Sequence, residues 1–300
     1  MCLILITITS LILTIARRKT LSHDKPTTVP PQNLTINTLL TTTSKQYSDS
    51  QKSNDKIVQA HSGKRMALVV PFHDRFDELL KFVPYISEFL HKQGITHFKI
   101  YVMNQVDNLR FNRGALINAG FLESVHAGQS DYIVMHDVDI LPVNNNLSYA
   151  YPENGPFHIA SPEYHPQYNY ARYIGGILSI SNEHFRLVNG FSNRYYGWGL
   201  EDDEFFTRLT SKDLRIARPT RLQTNKTNTF IHMHRRPRDK SRLFNQKEAT
   251  SKRDRVTGLH DVRYSVMSIS NVTIDSFPCF VYNVKLVCDT AKTPWCQNKT

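Results

Sequence analysis

Three short clusters hold the residue types that could do chemistry: Asp137-Val138-Asp139, His232-Met233-His234, and the run from Tyr195 to Glu204 (YYGWGLEDDE). In an extended strand side chains alternate between faces, so Asp137 and Asp139 would share one face and could hold a hard divalent cation, which could in turn hold a diphosphate. An Asp-x-Asp pair is more often a turn or capping device, and alone it favours that plainer reading. The same alternation would point the imidazoles of His232 and His234 one way, and two imidazoles with a carboxylate suit manganese, iron or zinc. Two surface histidines in a basic segment would look the same. In the third cluster, glycines on both sides of Trp198 give a mobile loop with a large aromatic ring. Four acids follow, where a helix dipole stabilises them. Acids at a helix start are commonplace, yet here they adjoin the aromatic loop. A carboxylate so placed could take a proton from a sugar hydroxyl while Trp or Tyr stacks on the sugar face. No Ser/His/Asp or Cys/His set stands out as a covalent nucleophile.

The elements that must position these clusters can be read from hydrophobic spacing. Ala67–Val70 is a buried strand stopped by Pro71, and Phe76–Lys92 carries an apolar helical stripe interrupted by Pro84. Phe98–Met103 reads as a strand, Asn112–Ala127 as a helix, and Asp131–Met135 as a strand running straight into Asp137 and Asp139. This alternation predicts an α/β fold with a doubly wound sheet, whose ligands gather at the carboxyl ends of the strands. Further strands are expected at Ile159–Ser161, Ile177–Ile180, around Phe230, at Val262–Ile269 and at Phe280–Val287. Helices are expected at Asn182–Val188 and Glu201–Thr210, within one domain whose second half is irregular.

Residues 1–19 read as a short signal-anchor: Met1–Ala16 is apolar or Ser/Thr and is followed by Arg17, Arg18 and Lys19. As a helix those residues span about 24 Å, short of a ~30 Å hydrocarbon core. Residues 20–63 are rich in Thr, Ser, Asn and Pro and read as a disordered stem, leaving 64–300 as the catalytic domain. The net charge of +11, from 37 basic and 26 acidic residues, favours anionic partners. A basic stretch from Arg235 to Arg255 follows the histidine pair and reads equally as a lid over a diphosphate, a landing site for an acidic peptide, or a solvated surface. No motif or interleaved aromatic platform accompanies the charge, which argues against nucleic acid. Of the four cysteines, Cys279 and Cys288 bracket an alternating run and could staple two strands, with Cys296 nearby and Cys2 in the leader. Asn-x-Ser/Thr sequons at Asn33, Asn146, Asn225, Asn271 and Asn298 point modestly to the secretory pathway.

Several ordered pieces give the chain from about Met66 to Cys296 a more specific likeness. They are Val70 to Phe76 (VPFHDRF), Phe111 to Gly120 (FNRGALINAG), His136 to Asp139 (HDVD), Tyr173 to Gly176 (YIGG), Asn189 to Asn193 (NGFSN) and Gly197 to Asp203 (GWGLEDD). Together they resemble the β-1,4-galactosyltransferase family, of the glycosyltransferase-A fold. Phe157 to Pro162 (FHIASP), the His-x-His at His232 and the ending Thr293 to Cys296 (TPWC) resemble the branch acting on protein-linked xylose. The resemblance implies inverting transfer of galactose from UDP-galactose to the 4-hydroxyl of xylose on a core protein, by a type II Golgi membrane protein with a lumenal catalytic domain. It implies Mn²⁺ on Asp139, His232 and His234. Pro71, Phe72, Arg75, Phe111 and Arg113 would form the uridine and ribose pocket with Asp137 nearby, although His73 stands where the family usually has arginine. Asp202 would be the general base and Glu201 would hold donor or acceptor hydroxyls. Trp198 would swing over the donor, and Tyr170 and Tyr173 would line the acceptor and donor pocket. Two alternatives remain at this level: a sister transferase using N-acetylglucosamine as acceptor or N-acetylgalactosamine as donor, and a silent sugar-binding module.

Overall fold

The structure, a computed structural model, describes residues 63–233 except 127, 129 and 198, and residues 254–297. The expected leader (1–19), nearly all of the stem (20–63), most of the basic stretch, Trp198 and His234 therefore lie outside the described residues. Among the described residues no helix is long and apolar enough to cross a membrane.

The first half alternates as its spacing predicts: β1 (Met66–Phe72), α1 (Phe76–Lys92), β2 (Phe98–Gln105), α2 (Arg113–His126) and β3 (Tyr132–His136). Then come β4 (Ile140–Pro142), β5 (Phe157–His158), β6 (Ile177–Ser181), α3 (Asn182–Leu187), α4 (Glu201–Thr210), α5 (Lys226–Thr229) and β7 (Phe230–His232). The long hairpin β8 (Tyr264–Ile274) and β9 (Phe277–Leu286) follows. Seven strands form one sheet in the order β5-β6-β3-β1-β2-β9-β8. β1 pairs in parallel with β2 and β3, and β2 with β9, whereas β6, β5 and β8 add antiparallel edges. A separate two-stranded ribbon joins β4 to β7.

β1 shows why the sheet is covered on both faces. Its residues are buried throughout, and alternation sends Met66, Leu68, Val70 and Phe72 to one core and Ala67 and Val69 to the other. The first core is closed by the stripe Leu79, Phe82, Val83, Ile86, Phe89 and Leu90 of α1, the second by α2 with Phe185 of α3 and Phe205 of α4. α1 continues past Pro84. Pro71 lies beyond Val69, the last β1 residue paired with β3, so its missing N–H costs no bond on that side.

Local signals set several ends. Asn112 caps α2 by accepting from Ala115 N at 2.9 Å, and Ser181 caps α3 by accepting from His184 N. The strand expected at Ile159–Ser161 is absent: pairing with β6 stops at His158, and the amides of Ile159 and Ala160 both donate to Ile177 O. The cysteine expectation is also corrected. The disulfide joins Cys288 to Cys296, and Cys279 is a buried free thiol. Cys279 lies within β9 and Cys288 just past its end. Nine extended residues hold them roughly 30 Å apart.

Gly120 lets α2 lie close on the sheet, since a Cβ there would sit 2.5 Å from Val69 Cγ1 and 3.0 Å from Met103 Cγ. Gly120→Val should therefore destabilise the domain by about 1–3 kcal/mol through overpacking, read as a fall in melting temperature. An unchanged melting temperature would contradict this packing account.

Candidate active site

The sheet brings the carboxyl ends of β1 and β3 beside the start of α2, and the start of α4 faces them across a cavity of about 430 Å³. Pro71, Arg75, Phe111, Arg113, Asp137, Asp139, Tyr170, Tyr173, Glu201 and Asp202 all line it, so the fold gathers most of the residues singled out by sequence. Of the described candidates, Phe72 and His232 are not on its wall; His232 stands beside Asp139, whereas Phe72 is turned away. Its ring is 1% exposed and packs in the α1-side core, 5.2 Å from the Phe76 ring, so it is not on the cavity wall.

Arg113, in the first turn of α2, is the hub. Its Nε donates to Asp137 Oδ1 at 2.7 Å and its Nη1 to Asp202 Oδ1 at 2.8 Å, with Glu201 Oε1 at 4.0 Å. Arg113 and Glu201 keep only 11% and 10% of their side chains exposed. Burial opposes the Arg113 charge, but Asp137, Asp202 and Glu201 together outweigh it and raise its pKa. Burial, then the neighbouring Asp202, raises Glu201 well above the usual carboxylate range. Burial raises Asp202 as well, with Arg113 pulling the other way. This suits a carboxylate that must hold a proton taken from a hydroxyl.

Backbone geometry explains why Asp202 can sit there. The chain enters α4 through Gly197 (φ 91°), Gly199 (φ 102°) and Leu200, which itself takes a left-handed φ of 73°. Across the cavity Gly175 lets the carboxylate come close, because a Cβ on it would lie 2.4 Å from Asp202 Oδ2. Next to it Tyr173 is 5% exposed, and Tyr168 and Tyr170 pack around its ring at 4.9 and 5.7 Å. His165 Nδ1 accepts from the amides of Gln167 and Tyr168 and so carries no proton. Its Nε2–H is then the donor to Tyr173 Oη at 3.2 Å, which fixes the ring and leaves the tyrosine proton to face other acceptors.

Asp139 and His232 come together through the β4–β7 ribbon, in which Ile140 is paired with His232 and Met233 N donates to Asp139 O. Asp139 Oδ1 and His232 Nε2 are 4.0 Å apart. Donors each about 2.1 Å from one ion lie roughly 3–4 Å apart, so the pair fits a shared divalent cation. Among the described residues no three His, Cys, Asp or Glu side chains form a metal cluster. The neighbouring His136 serves packing: it is fully buried, contacts Asp137 O and Tyr149 Oη, and burial lowers its pKa to about 4.

Several supporting residues escaped the sequence reading. Gln105 accepts from Asn112 N and donates to Arg110 O, fixing the approach to α2. Arg110 is held by the disulfide-closed C-terminal turn: its amide donates to Cys296 O and its Nη1 to Trp295 O, while Trp295 Nε1 donates to Arg194 O. The same guanidinium packs on Gly197, whose amide donates to Phe111 O. The far end of the chain thus braces both the Phe111–Arg113 segment and the entrance to the glycine-flanked loop. A helix-cap signal marks Asn112 and a glycine pair marks Gly175. Nothing local marks Gln105 or Arg110, whose partners lie far off in sequence.

Residues 23–152 match a family profile described as the N-terminal region of glycosyl transferase group 7, and residues 155–235 one described as the N-terminal domain of galactosyltransferase. The chain is 49% identical over 255 residues to beta-1,4-galactosyltransferase 7 of Drosophila melanogaster, covering 82% of this chain and 78% of that one. It is 52% identical over 235 residues to the Homo sapiens protein of the same name, covering 77% and 71%. With the xylosylprotein 4-beta-galactosyltransferase of Caenorhabditis elegans it shares 45% over 240 residues, covering 78% and 82%. A crystal structure of a mutant of the Drosophila enzyme in complex with manganese, UDP-Gal and xylobiose superposes with a TM-score of 0.75 at 50% identity, covering 79% of this chain and all of that one. The mixed sheet is that of the glycosyltransferase-A fold, and the chain belongs to the β-1,4-galactosyltransferase family.

Proposed function

We propose that the protein transfers galactose from UDP-galactose to the 4-hydroxyl of xylose carried on a core protein, with inversion at the anomeric carbon and with manganese as cofactor. One observation carries this reading: a carboxylate pair, buried Glu201 and partly buried Asp202, shares a cavity wall with Asp139, which His232 joins. The likeness to an enzyme solved with manganese, UDP-Gal and xylobiose supplies the substrate class.

Asp202 takes the proton of the acceptor hydroxyl as its oxygen attacks the anomeric carbon, and the bond pair to the departing diphosphate leaves with UDP. A single displacement of this kind turns an α-linked donor into a β-linked product without a covalent intermediate. Glu201 holds hydroxyls beside the reacting carbon. Tyr173, fixed by His165, and Tyr170, 44% exposed at the mouth, offer faces for sugar stacking. Pro71, Arg75 and Phe111, which also line the cavity, are assigned to the nucleotide. Arg113, expected in the nucleotide pocket, lines the cavity, and its ties to Asp137 and Asp202 also hold Asp202 in place. Asp139 and His232, with His234, would hold manganese, whose Lewis acidity neutralises charge on the diphosphate. Trp198 is assigned to cover the donor and exclude water.

The reading extends to a Golgi-lumenal enzyme of proteoglycan linker synthesis, anchored by residues 1–19 on the stem of residues 20–63. A disulfide at Cys288–Cys296 and exposed sequons at Asn146, Asn225 and Asn271 support an oxidising, secretory setting. Protease protection of the full chain in intact vesicles tests the topology.

Incubation with UDP-galactose, Mn²⁺ and either a β-xyloside or a β-N-acetylglucosaminide should give galactose on xylose alone. Transfer only to N-acetylglucosamine would discard the xylose assignment. Asp202→Asn should abolish transfer while leaving UDP binding largely intact, and a parallel collapse of UDP affinity would remove Asp202 as the base. Gly175→Ala, whose Cβ would also sit 2.8 Å from Tyr173 Cε2, should displace the Asp202 carboxylate and lower kcat by at least roughly a hundredfold. Full activity in that variant would show that the close approach is unnecessary.

A further inference from the structure

β8 is an eleven-residue strand at the end of the seven-stranded sheet, paired among the described residues only with β9. Edge strands of this length expose a row of backbone donors and acceptors and invite pairing with another chain. The side chains add to the hazard, since Met267 and Ile269 are 54% and 55% exposed. Beyond the irregularity between Val266 and Ser268, alternation places Ile269, Asn271 and Thr273 on one face and Val272 and Ile274 on the other. Val272 and Ile274 pack into the α1-side core. On the Asn271 face the cross-strand neighbours are Tyr282 opposite Ile269 and Phe280 opposite Asn271. Both rings are half-buried, lie about 6 Å from Tyr101 (6.2 Å for Phe280, 5.8 Å for Tyr282), and have the Lys99 ammonium 5.5 Å from the Phe280 centroid. The result is an apolar, partly aromatic strip along the sheet edge, with Asn271-Val272-Thr273, a complete N-glycosylation sequon, in its middle.

We propose that Asn271 carries an N-linked glycan whose first sugars lie over Phe280 and Ile269 and shield the β8 edge from pairing with a second copy of the chain. The reading rests on the lumenal setting proposed above. Asn271 is exposed, and a glycan attached to it would project from the same face as the aromatic strip, where the apolar face of a sugar ring can stack on Phe280. Its bulk would stand beside the open backbone edge and exclude a further strand. The other described sequons lack this setting. Asn146 lies between β4 and β5, outside any strand, and the Asn225 carboxamide already caps α5 by accepting from Thr227 N and Asn228 N.

The test uses the full chain expressed in a glycosylating secretory cell, with site occupancy read by mass spectrometry after enzymatic removal of N-glycans. Asn271 is expected to be occupied. Asn271→Gln and Thr273→Ala should lose that glycan and shift from monomer to dimer or larger species on light scattering, at unchanged specific activity. Thr273→Ser, which keeps the sequon, should restore the monomer, and Asn146→Gln should not change association. An unmodified Asn271 beside an occupied Asn146 or Asn225 overturns this proposal alone. No glycan at any site overturns the lumenal reading with it. An occupied Asn271 whose loss leaves the variants monomeric overturns the shielding role.

Discussion

Three carboxylates converge on the Arg113 guanidinium, and their mutual repulsion in a largely buried setting is the constraint on which the cavity is built. Asp137 arrives from the end of β3, Glu201 and Asp202 from the first turn of α4, and Arg113 from the first turn of α2. Without the guanidinium the buried Glu201 and the partly buried Asp202 would face Asp137 across a few ångströms, a repulsion relieved only if one took a proton. With it, Asp202 is held at 2.8 Å from a fixed cation while burial keeps its affinity for protons above that of an ordinary aspartate. The base role proposed for Asp202 asks for a carboxylate that is both anchored and proton-hungry.

The remaining architecture serves this arrangement. The parallel strands deliver Pro71 and Asp137 to one rim. Asn112 caps α2 and so fixes the turn that carries Arg113. Gly175 clears the space into which Asp202 projects, and the left-handed Leu200 turns the chain into α4. The disulfide turn at Cys288–Cys296 reaches back through Trp295 and Arg110 to steady the loop entrance. The second pair, Asp139 with His232, stands on a separate ribbon, so a metal site can form without disturbing the Arg113 hub.

Much of this was legible in the residues because hydrophobic spacing dictates it. The Phe76–Lys92 stripe and the Glu201–Thr210 helix appear as expected, and the strand leading to Asp137 ends where its apolar run ends. What spacing could not provide were contacts between distant segments. Cys279 and Cys288 looked like partners in sequence but are separated along β9, and the true partner of Cys288 lies after the strand. Phe72 follows the nucleotide-pocket motif, yet strand alternation turns its ring into the core. The reach of Arg113 to Asp202, 89 residues away, has no local signature.

The central claim is that the Arg113 charge favours the ionised form of Asp202, the proposed base, against the burial that opposes it. The most direct measurement is the pH dependence of kcat for the native enzyme, Arg113→Lys and Arg113→Gln, at saturating donor and acceptor. Because Arg113 favours ionised Asp202, its loss should move the acidic limb of the Arg113→Gln profile to higher pH, with part of the rate recovered as the base deprotonates. Arg113→Lys should show a smaller displacement. An acidic limb that stays in place in Arg113→Gln would contradict the account.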